Sequence, residues 1–331
     1  MKKILNKLFE HKALTREEAR QVMLDIGKGV YNDTELAAFI TVYLMRSITI
    51  DELSGFRDAL LEICLPVSLH DTETIDIVGT GGDGKNTFNI STLSCFIVAG
   101  AGYKVTKHGN YGVSSVSGSS NVMETLGYKF SSDESKLKRE LDAAGICFLH
   151  APLFHPALKV VAGVRRSMGL RTFFNLLGPL VNPARPKYQV IGVYNPEIAR
   201  YYNYLLQQND TQYCIVHTMD GYDEISLTDD AKLINRKGEQ IMSPEALGKR
   251  TVFAHDLSGG NTIEDTAKIF MSILNGNGTW SQNAVVLANA AVAIQCIGNI
   301  PVYNDAYNKA VESFESGNAK KVFDQLMALK S

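Results

Sequence analysis

Two hydrophobic patterns divide the chain near residue 65. Before that point, apolar residues recur at helical spacing, most clearly at Leu36, Phe39, Ile40, Tyr43 and Leu44. Beyond it, short apolar runs typical of strands alternate with longer helical stretches. The pattern therefore predicts an all-helical part followed by an α/β part, with the stretch Leu65-Pro66-Val67 between them.

Capping signals indicate where helices begin in the first part. Thr15 is followed three residues later by Glu18, and Thr49 by Glu52. In each pair, the hydroxyl and the carboxylate can both bond to the backbone of the first helical turn. We expect a small helical module whose apolar stripes need a partner to pack against.

The second part alternates strands and helices. Predicted strands occupy 75–78, 103–106, 146–149, 188–193 and 212–216, and predicted helices occupy 90–101, 121–126, 133–144 and 197–207. This alternation favours a mainly parallel sheet with helices on both faces. Residues 232–241 are predicted to form a polar hairpin, and 262–330 to form four helices.

Composition and charge narrow the class of protein. The 331 residues are 45% hydrophobic and 21% charged, which is ordinary for a globular chain. A net charge of −2 gives no sign of a nucleic-acid partner, so any affinity for phosphate must be local. The five cysteines are scattered without metal-ligand spacing, which favours free thiols in a reducing compartment.

Nothing in the sequence predicts a membrane or export segment. The N-terminus lacks the apolar core of a signal peptide. The longest apolar run, 284–294, is interrupted by Asn289 and is too short to span a bilayer. We therefore expect a soluble, cytoplasmic protein.

Three polar, glycine-rich stretches each follow a predicted strand and precede a predicted helix. They read GTGGDGK at 79–85, which we call the glycine-rich loop, KHGN at 107–110, and SSVSGSS at 114–120, which we call the serine loop. Such loops gather backbone N–H groups and helix N-termini at one edge of a sheet, where they attract phosphate oxygens. The sequence thus predicts a phosphate-binding edge.

Two well-known phosphate motifs fit the first loop only by its glycine content. Gly79, Gly81 and Gly84 match a dinucleotide-binding pattern, but the acidic residue expected about twenty positions later is missing. The P-loop pattern fits through Lys85, but Asn86 stands where a serine or threonine would bind magnesium. Neither interpretation is favoured.

Other polar residues have both a structural and a functional interpretation. Asn89 or Ser91 can cap the following helix, and a hydroxyl there can also serve a phosphate or its metal. Lys107, at the end of a buried strand, needs an anion or a salt bridge. Asp223 and Glu224 are either solvated loop acids or, at the carboxyl edge of the sheet, magnesium ligands.

An arginine-rich stretch and one histidine also have two interpretations. Arg165 lies with Arg166 and Arg171 in a run that either ends a helix in solvent or offers a guanidinium to a substrate carboxylate. His155 is either a cap or core histidine or a ligand contact.

Five motifs together closely resemble those of the anthranilate phosphoribosyltransferase family. They are GTGGD at 79–83, NIST at 89–92, KHGN at 107–110, RTFFNLLGPL at 171–180 followed by NP at 182–183, and DEIS at 223–226. The resemblance covers essentially the whole chain, and it is the combination of motifs that is specific.

The resemblance implies a fold and a reaction. The fold is a small helical domain, 1–66 with part of about 165–185 returning to it, joined to a large α/β domain, 67–331, of the kind shared with pyrimidine nucleoside phosphorylases. The active site is expected in the cleft between the domains, and a homodimer is expected to pair through the small domains and cover their apolar stripes. The implied reaction joins anthranilate to phosphoribosyl pyrophosphate in tryptophan biosynthesis, with two Mg²⁺ ions per active site.

The resemblance also assigns site residues. Those implied to bind phosphoribosyl pyrophosphate are Gly79, Gly82, Asp83, Thr87, Asn89, Ile90, Ser91, Thr92, Lys107 and Ser119. Those implied to bind magnesium are Ser91, Asp223 and Glu224. Those implied to bind anthranilate are Gly79, Asn110 and Arg165. Lys107, Asn110 and Arg165 are the implied catalytic residues, and His108 and His155 are candidate proton acceptors only.

Three positions depart from the family pattern. Many members have arginine after KHGN where this chain has Tyr111, a basic residue in the serine loop where it has Val116, and aspartate where it has Asn121. The two missing cations weaken the predicted phosphate contacts of that loop.

Two other functions remain open at this stage. A pyrimidine nucleoside phosphorylase would need a base-binding pocket, against which Arg165 and the 171–183 run argue. A nucleic-acid binder of the same fold would need basic surface runs, which the net charge disfavours.

Overall fold

The computed structural model describes residues 1–69, 72–112 and 116–329. They form two compact units, each built from two segments of the chain. Unit 1 comprises Met1–Val67 and Ala151–Arg185, and unit 2 comprises Ser68–His150 and Pro186–Ser331. The returning segment of unit 1 thus begins at Ala151, earlier than the implied start near 165.

Unit 1 is helical. Its helices are α1 (Lys2–Phe9), α2 (Arg16–Gly27), α3 (Asp33–Met45), α4 (Ile50–Ile63), α8 (Ala151–Phe154) and α9 (Pro156–Met168), followed by 3-10 turns at Phe173–Leu176 and Gly178–Leu180. Both predicted capping boxes are present, at the starts of α2 and α4, and Asn32 with Glu35 forms a third at α3. The local signals for helix starts are therefore confirmed.

Aromatic side chains fill the core of unit 1. Phe56 stacks on Phe173 with ring centroids 4.9 Å apart, and Phe39 meets both rings edge-on at 6.0 and 6.1 Å. Phe173 comes from the second segment, so the returning chain packs against α3 and α4. The expectation that a second copy covers the α3 stripe was wrong for Leu36, Phe39, Ile40 and Tyr43, which are buried within the unit.

Unit 2 is an α/β structure around one sheet. Its strands are β1 (Ile75–Gly79), β2 (Val105–Gly109), β3 (Ile146–His150), β4 (Tyr188–Gly192), β5 (Gln212–Thr218), β6 (Ala231–Asn235) and β7 (Gly238–Met242). The seven strands lie in the order β3-β2-β1-β4-β5-β6-β7. The first five are parallel, and β6 and β7 form the predicted hairpin, in which β6 is antiparallel to β5 and β7 is antiparallel to β6.

The helices of unit 2 also follow the predicted alternation. They are α5 (Ile90–Gly100), α6 (Ser119–Thr125), α7 (Glu134–Ala144), α10 (Pro196–Gln207), α11 (Ile263–Leu274), α12 (Trp280–Ile297), α13 (Tyr303–Glu315) and α14 (Asn318–Ala328), with a 3-10 turn at Ala254–Leu257. The apolar run 284–294 is the buried middle of α12, where it contacts α5, α13 and the sheet. No helix among the described residues has the length and hydropathy of a membrane span.

The prediction for β2 was wrong at both ends. The strand begins two residues later than expected and continues through Lys107, His108 and Gly109. Lys107 and His108 are polar, which made them resemble a loop, yet each is only 2% exposed. They are held in the sheet by their register with Phe148 and Leu149 of β3.

Candidate active site

The strand order reverses between β1 and β4. From that point the sheet continues through β2 and β3 on one side and through β5 on the other. Ligands of open α/β sheets bind beyond the carboxyl ends of the strands at such a switch point. We call the ends of β1 to β5 on this side the carboxyl edge.

Two paired glycines make room for an acid at the carboxyl edge. Gly79 ends β1, Gly192 ends β4, and the two are partners in the sheet register. A Cβ atom added at either position would overlap Asp223, its carboxylate at Gly79 and its backbone at Gly192. The acid thus lies directly over the switch point.

The acids Asp223 and Glu224 reach back to the glycine-rich loop. The N–H of Gly81 donates to Asp223 Oδ2 at 2.8 Å, and the N–H of Ser91, in the first turn of α5, donates to Glu224 Oε1 at 3.0 Å. Asp223 is 7% exposed. The alternative of a solvated loop acid is therefore wrong for Asp223.

Burial and mutual repulsion raise the pKa values of these acids. Burial raises the pKa of Asp223 to about 7, and the nearby carboxylate of Asp83 adds to the shift. Burial also raises the pKa of Glu224, with further contributions from Asp223 and Asp83. Asp83 Oδ2 is itself buried without a hydrogen-bond partner among the described residues. We refer to Asp83, Asp223 and Glu224 as the carboxylate cluster.

The carboxylate cluster fits a magnesium ion that is completed by a ligand. Carboxylate and hydroxyl oxygens are the donors Mg²⁺ prefers, and it usually takes only one or two protein carboxylates alongside water and substrate phosphates. No group of three or more His, Cys, Asp or Glu side chains among the described residues is arranged to hold a metal ion without further ligands. An open arrangement of this kind suits a metal that enters together with a phosphate-bearing substrate.

Lys107 brings a positive charge to the same place. Its Nζ donates to the carbonyl of Ile77 at 2.6 Å and to Ser91 Oγ at 3.5 Å. The charge of Lys107 lowers the pKa of Glu224 but does not offset the burial of that acid. The lysine lies in the middle of β2, which continues to Gly109, beyond the strand end that the sequence predicted.

The N-terminus of α5 has no side-chain cap from its own N-cap residue, and Glu224 accepts from the N–H of Ser91. Asn89 is the N-cap residue, but the prediction that its side chain or that of Ser91 caps the helix was wrong. Asn89 Nδ2 donates instead to the carbonyl of Ser117 at 3.2 Å. Asn89 Oδ1 and Thr92 Oγ1 are buried without hydrogen-bond partners among the described residues. Donors at a helix N-terminus favour an anion.

The remaining predicted phosphate contacts surround this helix end. Gly82 has φ +80°, a left-handed conformation that suits glycine. Thr87 forms an isolated β-bridge with Ser258. The side chain of Ile90 is fully buried in the core, so that only its backbone faces the edge. Ser119 begins α6, and its Oγ lies 3.5 Å from the carbonyl of Asn110.

Two of the positions that depart from the family pattern, Tyr111 and Asn121, are held by hydrogen bonds within unit 2. The Tyr111 hydroxyl donates to Glu124 at 2.8 Å, and its ring lies edge-on to His150 at 4.7 Å. Asn121 Oδ1 accepts from the N–H groups of Gly112 and Gly118 at 2.9 and 3.0 Å. Val116 is partly exposed, and Ser114 and Ser115 lie outside the described residues.

Arg165 belongs to unit 1, whereas the other residues implied to bind substrate or magnesium belong to unit 2. Its Nη2 donates to Asn175 Oδ1 at 3.2 Å, and its guanidinium lies 5.3 Å from the centre of the Phe174 ring. Its Nε is buried without a partner among the described residues, and burial lowers the pKa of the guanidinium. No described carboxylate forms an ion pair with it, which favours an anion-binding role over a helix-end role.

Sequence reasoning missed one segment that contacts the glycine-rich loop. The N–H of Phe88 donates to the carbonyl of Leu257 at 3.2 Å, and the N–H of Gly259 donates to the carbonyl of Asn86 at 2.8 Å. A Cβ atom at Gly259 would lie 2.7 Å from the carbonyl oxygen of Thr87. The adjacent glycines 259 and 260 were the signal that could have revealed this close approach.

Comparisons with known proteins agree with the geometry. Residues 2–64 match the helical bundle domain of a glycosyl transferase family, and 71–320 match its a/b domain. The chain is 53% identical to the anthranilate phosphoribosyltransferase of Flavobacterium psychrophilum and 54% identical to that of Christiangramia forsetii, in each case over 99% of both chains.

Solved structures of the same name share the fold. The enzyme from Thermus thermophilus superposes with a TM-score of 0.90 at 31% identity and covers 98% of both chains. The enzyme from Saccharomyces cerevisiae, solved in complex with PRPP (phosphoribosyl pyrophosphate) and Mg, superposes with a TM-score of 0.90 at 26% identity, over 98% of this chain and 96% of the yeast chain. The sequence identity over the full length and the shared two-part architecture show that this chain belongs to the anthranilate phosphoribosyltransferase family.

Proposed function

We propose that the carboxyl edge of unit 2 transfers the phosphoribosyl group of phosphoribosyl pyrophosphate to anthranilate. The products are N-(5-phosphoribosyl)anthranilate and pyrophosphate, in a step of tryptophan biosynthesis. The observation that carries the proposal is the carboxylate cluster beside the N-terminus of α5 and Lys107. This combination offers a metal-binding face and anion donors within one site, as a pyrophosphate leaving group requires.

The predicted phosphoribosyl pyrophosphate residues fall into two groups with different tasks. Residues of the glycine-rich loop and of α5 offer backbone N–H groups and hydroxyls to phosphate oxygens. The second group follows α5 in the sequence. Lys107 lies within β2, and Ser119 begins α6. Lys107 Nζ lies 3.5 Å from the Ser91 hydroxyl, and we assign it to the charge that develops on pyrophosphate.

Magnesium is proposed to be held by Asp223, Glu224 and Ser91, with two ions in each active site. The yeast relative supports a metal with the substrate, and the carboxylate cluster supports its position here. When bound, magnesium supplies positive charge to the pyrophosphate oxygens. The protein fixes that place through the hydrogen bonds from Gly81 and Ser91, which orient the two acids.

Anthranilate is proposed to contact Gly79, Asn110 and Arg165. Its carboxylate is its only full charge, and Arg165 is a partly desolvated guanidinium without an anionic partner among the described residues. A planar guanidinium can bind a carboxylate through two parallel hydrogen bonds. A variant of the yeast enzyme solved in complex with 4-fluoroanthranilate, with a TM-score of 0.85 at 25% identity, supports a site for such a ring.

The reaction needs charge stabilisation and positioning more than a base. The bond between C1 of the ribose and the pyrophosphate oxygen breaks as the aryl nitrogen bonds to C1, the leaving group takes the electron pair, and the nitrogen then loses one proton to water or to the released pyrophosphate. The aryl amine is neutral at pH 7 and already nucleophilic, so orientation by Arg165 and Asn110 is the main requirement. Burial lowers the pKa of His155 to about 4, and no essential general base is assigned to it or to His108.

A homodimer through unit 1 is proposed as the assembly. Unit 1 exposes Phe9 at the end of α1 and Met45 at the end of α3, which are 61% and 83% accessible. Contiguous apolar patches mark interfaces whereas single exposed apolar residues are common, so the proposal rests on the resemblance to the family. Sedimentation equilibrium would show a mass of twice 36.4 kDa, and a single-chain mass at micromolar concentration would contradict the proposal.

An assay of pyrophosphate release tests the proposed function. Release from phosphoribosyl pyrophosphate should require both anthranilate and magnesium, and uracil or inorganic phosphate should not replace anthranilate. Gly82→Ala should raise the KM for phosphoribosyl pyrophosphate more than the KM for anthranilate, because Cβ strains the backbone at φ +80° and obstructs a close phosphate. Equal changes in both KM values would make the loop structural only.

A further inference from the structure

Asn86 connects three separate stretches of unit 2. Its carbonyl accepts from the N–H of Gly259 at 2.8 Å, and its Nδ2 donates to the carbonyl of Gly260 at 3.0 Å. Its Oδ1 accepts from the N–H of Val116 at 3.3 Å. The residue thus joins the glycine-rich loop to the 257–260 segment and to the serine loop.

The backbone of Asn86 is fixed in an uncommon conformation. Its φ is +48°, in the left-handed region that asparagine tolerates better than most residues other than glycine. This is the position where a P-loop would carry a serine or threonine for magnesium. The side-chain amide of Asn86 instead makes hydrogen bonds to the protein through both its nitrogen and its oxygen. Asn86 therefore fixes the position of the loop.

Neighbouring contacts reinforce the same three-way junction. The N–H of Phe88 bonds to Leu257, and Asn89 Nδ2 bonds to Ser117. At Gly259 the 257–260 segment approaches Thr87 so closely that a Cβ atom would lie 2.7 and 2.9 Å from backbone atoms of Thr87. The glycine-rich loop is therefore held from two sides, by the serine loop and by the 257–260 segment.

We infer that Asn86 is a positioning residue for phosphoribosyl pyrophosphate, which sets the spacing between the glycine-rich loop and the serine loop through the anchored 257–260 segment. This inference rests on the proposed binding of that substrate to the glycine-rich loop. Asn86 need not touch the substrate. It acts by fixing Thr87 and Asn89, two residues proposed to contact phosphate.

Two substitutions separate the side chain from the backbone conformation. Asn86→Gly keeps the left-handed backbone at low cost and removes both side-chain bonds, whereas Asn86→Ala removes the bonds and adds strain. We expect both to raise the KM for phosphoribosyl pyrophosphate about tenfold, because substrate binding must then order a loop that two neutral hydrogen bonds no longer hold, with the anthranilate KM changed less than about twofold. Gly259→Ala perturbs the same junction from the 257–260 segment. It should likewise raise the KM for phosphoribosyl pyrophosphate more than the KM for anthranilate.

Asn299 provides a matched control. Asn299 has the same φ of +48° and is exposed. It lines a cavity of about 350 Å³ together with Gln212. Gln212 is the first residue of β5, at the end of that strand away from Asp223. Asn299→Ala and Asn299→Gly should therefore change the melting temperature by the same backbone effects and leave both KM values unchanged.

Each other outcome overturns the inference. A wild-type KM for phosphoribosyl pyrophosphate in Asn86→Gly would leave only backbone strain to explain Asn86→Ala. A parallel rise in both KM values, or failure of both Asn86 variants to fold where the Asn299 variants fold, would assign Asn86 to stability alone. If Gly82→Ala also leaves the KM for phosphoribosyl pyrophosphate unchanged, the proposed substrate site is wrong, and the inference about Asn86, which rests on that site, is overturned with it.

Discussion

Two buried acidic sites, one in each unit, are built in opposite ways. In unit 1, the carboxylate of Glu52 accepts from the N–H of Leu14 at 3.0 Å, from the N–H of Thr49 at 2.9 Å and from the Tyr43 hydroxyl at 3.1 Å. It also pairs with the guanidinium of Arg46 at 2.5 Å. In unit 2, Asp223 and Glu224 each accept one backbone hydrogen bond from the glycine-rich loop or α5 and face a third acid.

The difference appears in their pKa values. Burial raises the pKa of Glu52, but the bonds from Arg46, Leu14 and Thr49 outweigh it and leave the pKa below its usual value. In the carboxylate cluster burial dominates, and the pKa of Asp223 rises to about 7. A buried acid that the fold itself satisfies is structural, whereas buried acids that the fold leaves in mutual repulsion indicate a cation-binding function.

The strongest test of this contrast removes both charges at the functional site. Asp223→Asn combined with Glu224→Gln should lower kcat/KM by about a thousandfold or more, because the leaving group loses its main electrostatic support. The fold should remain intact, since the change relieves repulsion between buried acids. Steady-state pyrophosphate release and circular dichroism measure the two effects.

The matched control is Asp229→Asn combined with Asp230→Asn, which removes two adjacent charges from the same stretch after β5. It should retain near wild-type turnover. Full activity of the Asp223 and Glu224 double variant in saturating magnesium would take these residues out of the proposed metal set.

The converse test neutralises the structural acid. Glu52→Gln should lower the free energy of unfolding by about 3 kcal/mol, because it leaves the guanidinium of Arg46 without its buried partner. Urea denaturation measures the loss. Glu35→Gln is the control, since Glu35 holds the same position in the capping box of α3, where glutamine serves equally well. A similar loss in both variants would attribute the effect to capping rather than to the buried ion pair.

The same contrast applies to the arginines of unit 1. Arg46 is paired and its pKa is raised, first by the hydrogen bond to Glu52, whereas burial lowers the pKa of Arg165. Arg165→Ala should raise the anthranilate KM about ten- to a hundredfold, as expected for a lost hydrogen bond to a charged group, and leave the KM for phosphoribosyl pyrophosphate nearly unchanged. Steady-state kinetics with each substrate varied in turn measures this.

Arg166→Ala serves as the control, because Arg166 is the exposed neighbour on α9. It should alter neither KM. An unshifted anthranilate KM in Arg165→Ala, with a small loss of stability, would assign Arg165 to packing against Phe174 and Asn175.

The smallest expected effect is a difference in the pH dependence of stability. With its pKa raised to about 7, Asp223 binds a proton in the folded state before it does so unfolded, so its contribution to stability grows as pH falls through 7. Between pH 7 and pH 6 this contribution is about 1 kcal/mol. Glu52, with a lowered pKa, contributes nothing to the change in this window and loses its contribution only in acid, below its ordinary value of 4.5.

Urea unfolding in chelator at pH 7 and pH 6 checks the sign. Asp223→Asn should remove the increment relative to wild type, and Asp229→Asn should keep it. Added magnesium should abolish the difference, since the metal competes with the proton. An increment that survives Asp223→Asn would place the titrating group elsewhere.

Sequence patterns predicted the features that depend on neighbours in the chain. The capping boxes at Thr15 and Thr49, the alternation of unit 2 and the β6–β7 hairpin all follow from local spacing. The motifs also predicted that the glycine-rich loop, Lys107, Asp223 and Glu224 lie at one edge of the sheet, because parallel strands end on the same side.

Features set by distant contacts were not predictable in this way. The β2 strand continues through Lys107 and His108 because β3 and the neighbouring helices bury them, which their polarity concealed. The α3 stripe is covered by Phe173, a residue far along the chain. The roles of Asn86 and Gly259 depend on a pairing across more than a hundred residues, for which the sequence shows only an asparagine and two glycines.

The paired glycines at the ends of β1 and β4 also constrain how this protein can evolve. Because any side chain at Gly79 or Gly192 would collide with Asp223, neither glycine can change first while the acid keeps its place. The acid cannot move away first either, if it binds the metal as proposed. Substitutions at residues 79, 192 and 223 are therefore expected to be coupled during evolution, although the three residues lie on three different stretches of the chain.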